Sequence, residues 1–381
     1  MRLTTTYVAL TLTVGALALS AAPETNPVEW KPDAAAKYLD DRMVAWFANG
    51  KKLKTGDGET TCVSCHTALP YVLARPALRR LMRVEAPTPH ETHILDDVSR
   101  RVASDDAHQW LYDHTEAKKI ESRGTESVLN ALVLASADAQ SGRTQPSAST
   151  RAALARMWET QRDDGAWDWL DFGLEPYETS DAAFFGATLG AWAHGTAPGL
   201  ATETNVHAAK LRTYLKAGTP RQRLFNRTWV LLVAAKVPGL LPAAERDAIV
   251  KALETRQQSD GGWSLRDLGE WHWSKTVAPF TPPGKTDDAM VAQPDAYATG
   301  LVVYALSQAG LRQRPSVGRG LAWLSSHQLD VQVGSQSWTT WRAHSLNFDR
   351  EHGGEKGEPW RRMFMSDLAT SFAVLALTDG H

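Results

Sequence analysis

The feature that most constrains this chain is a recurring pattern: an amphipathic helical segment, a turn with Gln, Asp, Gly and Trp, and an apolar segment that opens on an acidic residue. The two clearest turns are residues 161–167, QRDDGAW, and residues 257–263, QQSDGGW. The first precedes an apolar segment beginning at Asp181, and the second precedes one beginning at Asp295. Self-similarity of this kind predicts a stack of like structural units.

Further apolar segments begin near residues 126, 226 and 367. The segments before the turns, such as residues 152–161, have apolar residues at a helical period and one polar face, whereas the apolar segments have no polar face. A helix without a polar face has to be enclosed, and one pair of helices cannot enclose it alone. We therefore predict an all-α fold of stacked helix pairs, in which the acidic residues act as N-caps or lie at the positive end of the helix dipole.

The Q-x-x-D-G-x-W turns, together with the apolar segment 295–311, resemble the Gln-Trp repeats of the squalene-hopene cyclase and prenyltransferase β-subunit superfamily. The resemblance extends over roughly residues 120–381. It implies an α/α toroid, in which outer and inner helices alternate around a central cavity. It also implies that the repeat residues tie helix ends together, which gives a structural role to Gln161, Trp167, Gln258 and Trp263.

The spacing of the apolar segments, about 60 residues, predicts one more helix pair near the N-terminus. There an outer-like segment, residues 35–51, is followed by a polar turn, residues 52–61, and by an apolar segment that starts at Cys62. This completes an (α/α)6 toroid in a single domain, residues 23–381, with Cys62 at the start of the first inner helix.

The first 22 residues have the pattern of a secretory signal. Arg2 precedes an apolar run over residues 7–19, and small residues follow at 20–22. The run is shorter than the roughly 20 apolar residues that span a bilayer, so we predict a cleaved signal, with an uncleaved anchor as the alternative. The expected location is periplasmic or secreted, with no transmembrane segment after cleavage.

Both cysteines of the chain lie in the motif CVSCH, residues 62–66. This C-x-x-C-H pattern is typical of covalent attachment of haem c, with Cys62 and Cys65 bonded to the two vinyl groups and His66 as the proximal iron ligand. A redox-active disulfide would need a βαβ context that this helical chain lacks, and a structural zinc site would need further ligands. We therefore predict one covalent haem c.

The sixth iron ligand is open at this point. Each candidate also fits an ordinary surface histidine or core methionine; the candidates are Met82, His90, His93, His272, Met290, His344, Met363 and Met365. Residues 90–93 read HETH, which lacks the spacing of a helical two-histidine zinc site, so we expect a solvated loop there.

Residues that would support the chemistry of the resembled superfamily are missing. The chain has no D-x-D-D acid motif, and both cysteines are committed to CVSCH, which excludes cyclisation and prenyl transfer. The formal net charge of −2, with scattered charges, excludes a nucleic-acid partner. Three long loops, residues 164–180, 264–294 and 339–366, should emerge on the same face as Cys62.

The leading functional hypothesis is electron transfer by an exported haem c protein, with a redox protein as its partner. The first alternative is a haem-dependent oxidoreductase that acts on an apolar, isoprenoid-like small molecule in the toroid cavity. Glu175, Glu178 or Asp181 would then assist proton transfer, although a helix-capping role also fits these acidic residues. The second alternative is a non-redox binding module in which the two cysteines form a disulfide.

Overall fold

The computed structural model describes residues 30–56, 58–104, 111–173, 176–179, 181–202, 205–269, 292–343, 360 and 363–380. This part of the chain is mostly helical, as predicted, and two sets of helices alternate along it. One set buries a single face: α1 (Pro32–Asn49), α3 (Pro89–Ala103), α5 (Ala148–Glu159), α7 (Val206–Gly218), α9 (Ala243–Thr255) and α11 (Pro315–Ser326). The other set is buried more deeply: α2 (Ala68–Leu81), α4 (Glu116–Gln140), α6 (Ala183–Thr196), α8 (Leu224–Ala234), α10 (Ala296–Leu306) and α12 (Phe364–Thr378).

The deeply buried helices form a closed ring. Helix α2 packs on α4, α4 on α6, α6 on α8, α8 on α10 and α10 on α12, and α12 returns to α2. The helices of the first set lie outside this ring: α1 packs on α2, α3 on α4, α5 on α4 and α6, α7 on α6, α9 on α8, and α11 on α10. The described helices therefore form an α/α toroid, because an apolar helix is enclosed only when neighbours cover it on every side.

The predicted N-cap is present at one of the four acidic helix starts and absent at the other three. Glu126 lies inside α4, whose N-cap is Thr115. The carboxylate of Asp295 accepts hydrogen bonds from the backbone N–H groups of Tyr297 and Ala298, each at 2.9 Å, and so caps α10. Helices α6 and α12 begin without a side-chain cap, so the capping prediction is wrong for Asp181 and Asp367. Asp367 lies inside the first turn of α12, where its carboxylate can reach other elements of the fold.

The two Gln-Trp turns are built alike. The indole of Trp167 is fully buried and its Nε1–H donates to the backbone oxygen of Met157 at 2.7 Å. Trp263 is also fully buried and donates to the backbone oxygen of Leu253 at 2.8 Å. Each tryptophan thus adds a hydrogen bond to a carbonyl in the last turn of the preceding helix, where the regular helical hydrogen bonds end.

The glutamines of these turns connect consecutive outer helices. The amide of Gln161 donates to the backbone oxygen of His207, at the start of α7, at 3.1 Å. The amide of Gln257 donates to the backbone oxygen of Ser316, at the start of α11, at 2.8 Å. The predicted structural glutamine of the second turn was Gln258, but its amide instead donates to Asp267 at 2.8 Å, so Gln257 is the equivalent of Gln161.

The segment that carries CVSCH differs from the prediction. Residues 52–61 form a hairpin of β1 (Lys52–Thr55) and β2 (Gly58–Thr61) in place of a plain turn, and α2 begins only at Ala68. Cys62 therefore precedes the first inner helix and does not start it. A second hairpin, β3 (Leu329–Val333) and β4 (Gln336–Thr340), follows α11.

Residues 90–93 also differ from the prediction, since they lie in α3 and not in a loop. The hydroxyl of Thr88 accepts from the backbone N–H of Glu91 at 3.1 Å, and the Glu91 carboxylate accepts from the backbone N–H of Thr88 at 2.7 Å. This capping box, with Pro89 at the first helical position, marks the start of a helix in the sequence itself.

Within the described residues, none of the helices combines the length and the apolar composition needed to cross a bilayer. The predicted signal, residues 1–22, lies outside the described residues.

Candidate functional site

Cys62, Cys65 and His66 line one cavity with a volume of about 430 Å³. Its walls are largely aromatic and aliphatic, and they come from distant parts of the chain: Trp46, Val63, Leu111, Tyr112, Leu129, Leu170, Trp360 and Phe364. The polar lining residues in the described part of the chain are Asn49, Lys51, Ser64, Thr125 and Glu178. The predicted rim loops 164–180 and 339–366 contribute Leu170, Glu178 and Trp360, so both reach the face that carries CVSCH.

Hydrogen bonds from two outer helices hold the chain that leads into the motif. The Asp97 carboxylate in α3 accepts from the backbone N–H of Thr61 at 2.7 Å. The indole of Trp46 in α1 donates to the backbone oxygen of Cys62 at 2.8 Å, and the Cys62 N–H donates to the backbone oxygen of Lys51 at 3.0 Å. The backbone on the N-terminal side of the motif is thus fixed without help from either thiol.

The hydroxyl of Ser64 makes the turn from the motif into α2. It accepts hydrogen bonds from the backbone N–H groups of Thr67 at 3.1 Å and Ala68 at 3.0 Å. These N–H groups belong to the start of a helix and have no partner within it. Ser64 therefore performs the capping role that the sequence assigned to acidic residues at the other inner helices.

Both cysteines are free thiols with low acidity. Burial raises the pKa of the Cys62 thiol to about 11. Burial also raises the pKa of the Cys65 thiol, and the nearby carboxylate of Glu178 raises it further. Because the thiolate is the nucleophilic form, neither cysteine is activated by its surroundings at neutral pH.

The imidazole of His66 is held between aromatic rings. It stacks on Phe364 with 3.8 Å between ring centroids, and it meets Trp46 edge to face at 5.4 Å. The side chain is buried, and its Nδ1 lies 2.9 Å from the hydroxyl oxygen of Thr67. The ring thus has a defined plane and a defined neighbour at one nitrogen.

Thr67 connects this imidazole to a buried carboxylate. Its hydroxyl donates to Oδ2 of Asp367 at 2.7 Å, although 300 residues separate the two positions. Asp367 also accepts from Nε of Arg42 at 2.7 Å, from Nη2 of the same guanidinium at 3.2 Å, and from the Tyr38 hydroxyl at 2.6 Å. Sequence reasoning interpreted Asp367 only as a helix cap, because no local pattern reports a contact between the two ends of a chain.

The predicted acidic residues separate in the structure. Glu178 lines the cavity beside Cys65. Asp181 lies away from the cavity lining, where it is exposed and pairs with Arg223 at 2.7 Å. Glu178 is therefore the one of these two that lies near the motif, and Glu175 lies outside the described residues.

The candidates for a sixth ligand fall into three groups. Met82 is the C-cap of α2 and Met363 the N-cap of α12; neither is among the described residues that line the cavity, and neither is Met365. His93 stacks on Phe47 with 4.0 Å between centroids, on the surface of α3, and His90 packs nearby. His272, Met290 and His344 lie outside the described residues. The sixth ligand therefore stays undefined.

Comparisons with known proteins give no family. No family model matches the chain, and no curated protein matches it. Among solved structures, a possible member of the GH105 family from Salmonella enterica serovar Paratyphi A has 12% identity and a TM-score of 0.47, and covers 96% of this chain and 99% of its own. A possible GH105 member from Klebsiella pneumoniae has 11% identity, a TM-score of 0.46, and coverages of 97% and 98%. A polysaccharide lyase has 12% identity, a TM-score of 0.33, and coverages of 94% and 91%.

These comparisons correct the predicted family. The three similar structures are described as two possible GH105 family members and a polysaccharide lyase, not as cyclases, prenyltransferase subunits or cytochromes, so the assignment to the cyclase superfamily is wrong. The physical reason is visible at Gln161 and Trp167, whose hydrogen bonds satisfy helix ends and join neighbouring helices. That need arises in any stack of helix pairs and does not depend on the reaction performed. At TM-scores below 0.5 no activity is carried over from these proteins to this chain.

The predicted function is corrected as well. None of the three predicted functions has a counterpart among these proteins, and all three predictions are wrong. They were electron transfer by a cytochrome, a haem-dependent oxidoreductase and a binding module with a disulfide. Within the described residues, no group of three or more His, Cys, Asp or Glu side chains is placed to hold a metal ion. The cofactor prediction is a separate matter, because it depends on the residues of CVSCH and no comparison tests it.

Proposed function

We propose that this chain is a haem-binding protein in which Cys62 and Cys65 attach one haem c covalently and His66 binds its iron. The observation that carries the proposal is that all three side chains line the same cavity. The proposal concerns the cofactor and its attachment, and it includes no electron-transfer role and no substrate.

The chemistry of attachment needs both thiols close together. Each thiol adds across one vinyl group: a carbon–sulfur bond forms, the thiol hydrogen goes to the other vinyl carbon, and nothing is oxidised or reduced overall. No disulfide joins Cys62 and Cys65, and the addition requires both thiols to be free. When bound, haem supplies an iron atom whose reactivity depends on its axial ligands.

The cavity walls support the proposal. A porphyrin is a flat apolar group, and aromatic side chains such as Trp46, Trp360 and Phe364 provide flat apolar surface for it. Lys51 is a cation in the same lining and can pair with a carboxylate of the cofactor. The residues present are thus compatible with the group in donor set and in wall chemistry.

We also propose a more specific fold, a position for the haem site in that fold, and a cellular location. We propose that six outer and inner helix pairs complete an (α/α)6 toroid, with the haem site in the turn that precedes the first inner helix. We further propose that residues 1–22 direct export to the periplasm or the exterior. The partners expected from the sequence, a redox protein or an apolar small molecule, remain predictions.

Covalent attachment can be tested directly. The full chain is produced together with a haem c maturation system, denatured, and examined for haem that stays with the polypeptide by absorbance and by mass. We expect one haem per chain in the wild type, one thioether in either single variant, Cys62→Ala or Cys65→Ala, and no retained haem in the double variant. Val44→Ala, at an exposed position of α1, is the matched control for expression and should keep full loading.

Two results would overturn the proposal. One is a wild-type chain that folds, as shown by circular dichroism, yet carries no covalent haem under conditions that load a known haem c protein. The other is haem that survives denaturation in the double cysteine variant.

A further inference from the structure

We infer that Asp367 is a positioning residue which, through the hydroxyl of Thr67, holds the neutral form of His66 in the tautomer with its proton on Nδ1. The geometry for this inference is independent of any cofactor. The role of this tautomer rests on the proposed function: it leaves the lone pair of His66 on Nε2, where the ring would bind the iron.

Hydrogen-bond donors surround the carboxylate of Asp367. An ionised carboxylate is an acceptor only, with about four acceptor sites. Among the described residues Asp367 receives four hydrogen bonds: two from Arg42, one from Tyr38 and one from Thr67. It is 1% exposed, and the Arg42 guanidinium, which can only donate, bonds to both of its oxygens. Every hydrogen on these contacts therefore has to come from the partner of Asp367.

The Thr67 hydroxyl has two neighbours, Asp367 and His66, but only one hydrogen to donate. Because Asp367 cannot donate, that hydrogen points at Oδ2 of Asp367, 2.7 Å away. The Thr67 oxygen then has only lone pairs to offer to Nδ1 of His66, 2.9 Å away. Nδ1 must carry the proton in this contact, and in a neutral imidazole the other nitrogen, Nε2, is then unprotonated.

The tautomer of His66 determines which of its ring nitrogens can bind a metal. A ring nitrogen binds a metal only through its lone pair, and the hydrogen bond at the opposite nitrogen sets the tautomer and ring orientation. Stacking on Phe364 keeps the ring plane, so the Thr67 contact and the stacking together define both orientation and proton position. The device joins the two ends of the chain, since Thr67 precedes α2 and Asp367 lies in α12.

The test measures the tautomer in the full chain made without haem. Nitrogen-15 spectra of the histidine side chains distinguish a protonated from an unprotonated ring nitrogen, and His66→Gln assigns the signals. At an alkaline pH where imidazoles are neutral, we expect Nδ1 protonated and Nε2 unprotonated. Thr67→Val keeps the side-chain volume but removes the hydroxyl, and we expect the single tautomer to be lost to a mixture. Thr67→Ser restores the hydroxyl and should restore the Nδ1–H tautomer.

The inference is overturned if His66 carries its proton on Nε2 in the wild type, or if Thr67→Val leaves the Nδ1–H tautomer unchanged while circular dichroism shows a folded chain. A second readout is haem loading, which should fall in Thr67→Val and recover in Thr67→Ser. Failure of the haem proposal appears as absent covalent haem in a wild type that still shows the Nδ1–H tautomer, so the two failures are distinguishable.

Discussion

The guanidinium of Arg42 and the carboxylate of Asp367 form a buried ion pair, with 2.7 Å between Nε and Oδ1, that joins the outer helix α1 to the inner helix α12. Both side chains are almost fully excluded from solvent, at 3% and 1% exposure. Neither charge can be hydrated, so each depends on the other.

Removing one partner of this pair should be costly. We expect Arg42→Met to lower the free energy of unfolding by about 3–5 kcal/mol, because the Asp367 charge stays buried without its guanidinium. Urea unfolding followed by circular dichroism measures the loss. The matched control is Lys37→Ala, which removes the exposed partner of Asp41 and should cost less than about 1 kcal/mol. Equal losses in the two variants would contradict the assignment of Arg42–Asp367 as a buried pair.

The glutamines of the two turns should contribute similar amounts to the free energy of unfolding, since each joins two outer helices. Gln161→Ala and Gln257→Ala each remove an amide that donates to two backbone oxygens. We expect each change to lower the free energy of unfolding by about 1–3 kcal/mol and the double variant to show the sum, as for distant sites. Gln332→Ala, on the exposed second hairpin, is the control and should be near neutral. A neutral effect at Gln257 would mean that its two contacts add nothing to stability.

Two helical glycines should respond to alanine in opposite directions. A Cβ at Gly190 in α6 would lie 2.7 Å from the buried ring of Trp167, so Gly190→Ala should cost about 1–3 kcal/mol through overpacking. A Cβ at Gly318 in α11 meets nothing within 4 Å, so Gly318→Ala should stabilise the chain by up to about 1 kcal/mol through helix propensity. Thermal unfolding measures the stability of both variants against the wild type. Stabilisation by Gly190→Ala would contradict the expected overpacking and show that Trp167 can move.

A pH effect should arise at the C-terminal ends of the inner helices, where Asp379 lines a second cavity of about 490 Å³. Burial raises the pKa of Asp379 above its ordinary value of 3.8. The folded chain therefore holds this proton at a pH where the unfolded chain has released it, and stability is lost as the pH rises through the folded-state pKa. We expect Asp379→Asn, which keeps an oxygen for the Gln308 amide, to remove this loss.

The comparison is the free energy of unfolding of wild type and Asp379→Asn at several pH values from about 4 upwards, since the window opens at the ordinary carboxyl pKa. The variant should gain relative to the wild type as the pH rises across the window. A constant difference between the two proteins would contradict a raised pKa at Asp379.

The part of the fold that the sequence predicted is the part encoded by local patterns. The apolar segments without a polar face form α6, α8, α10 and α12. The tryptophans of the two turns, Trp167 and Trp263, are buried. Helix α3 was missed even though Thr88, Pro89 and Glu91 carry a capping signal, because the HETH segment lacks the spacing of a helical zinc site and was therefore interpreted as a loop.

Only the three motif residues of the site were predictable from the sequence. The motif indicated Cys62, Cys65 and His66, which line one cavity. It could not indicate Asp367, because the contact with Thr67 exists only after the ring closes. Nor could it separate Glu178, which lines the cavity, from Asp181, which is exposed and pairs with Arg223.

The closure of the ring also determines when this protein can fold. Helix α2 is covered on one side by α12, so during synthesis its apolar flank stays open until nearly the whole chain has left the ribosome. Contacts between positions this far apart in the chain form slowly because a long loop must close first. A nascent or C-terminally truncated chain would therefore expose apolar surface at both ends of an open arc, where other chains can bind it and aggregate.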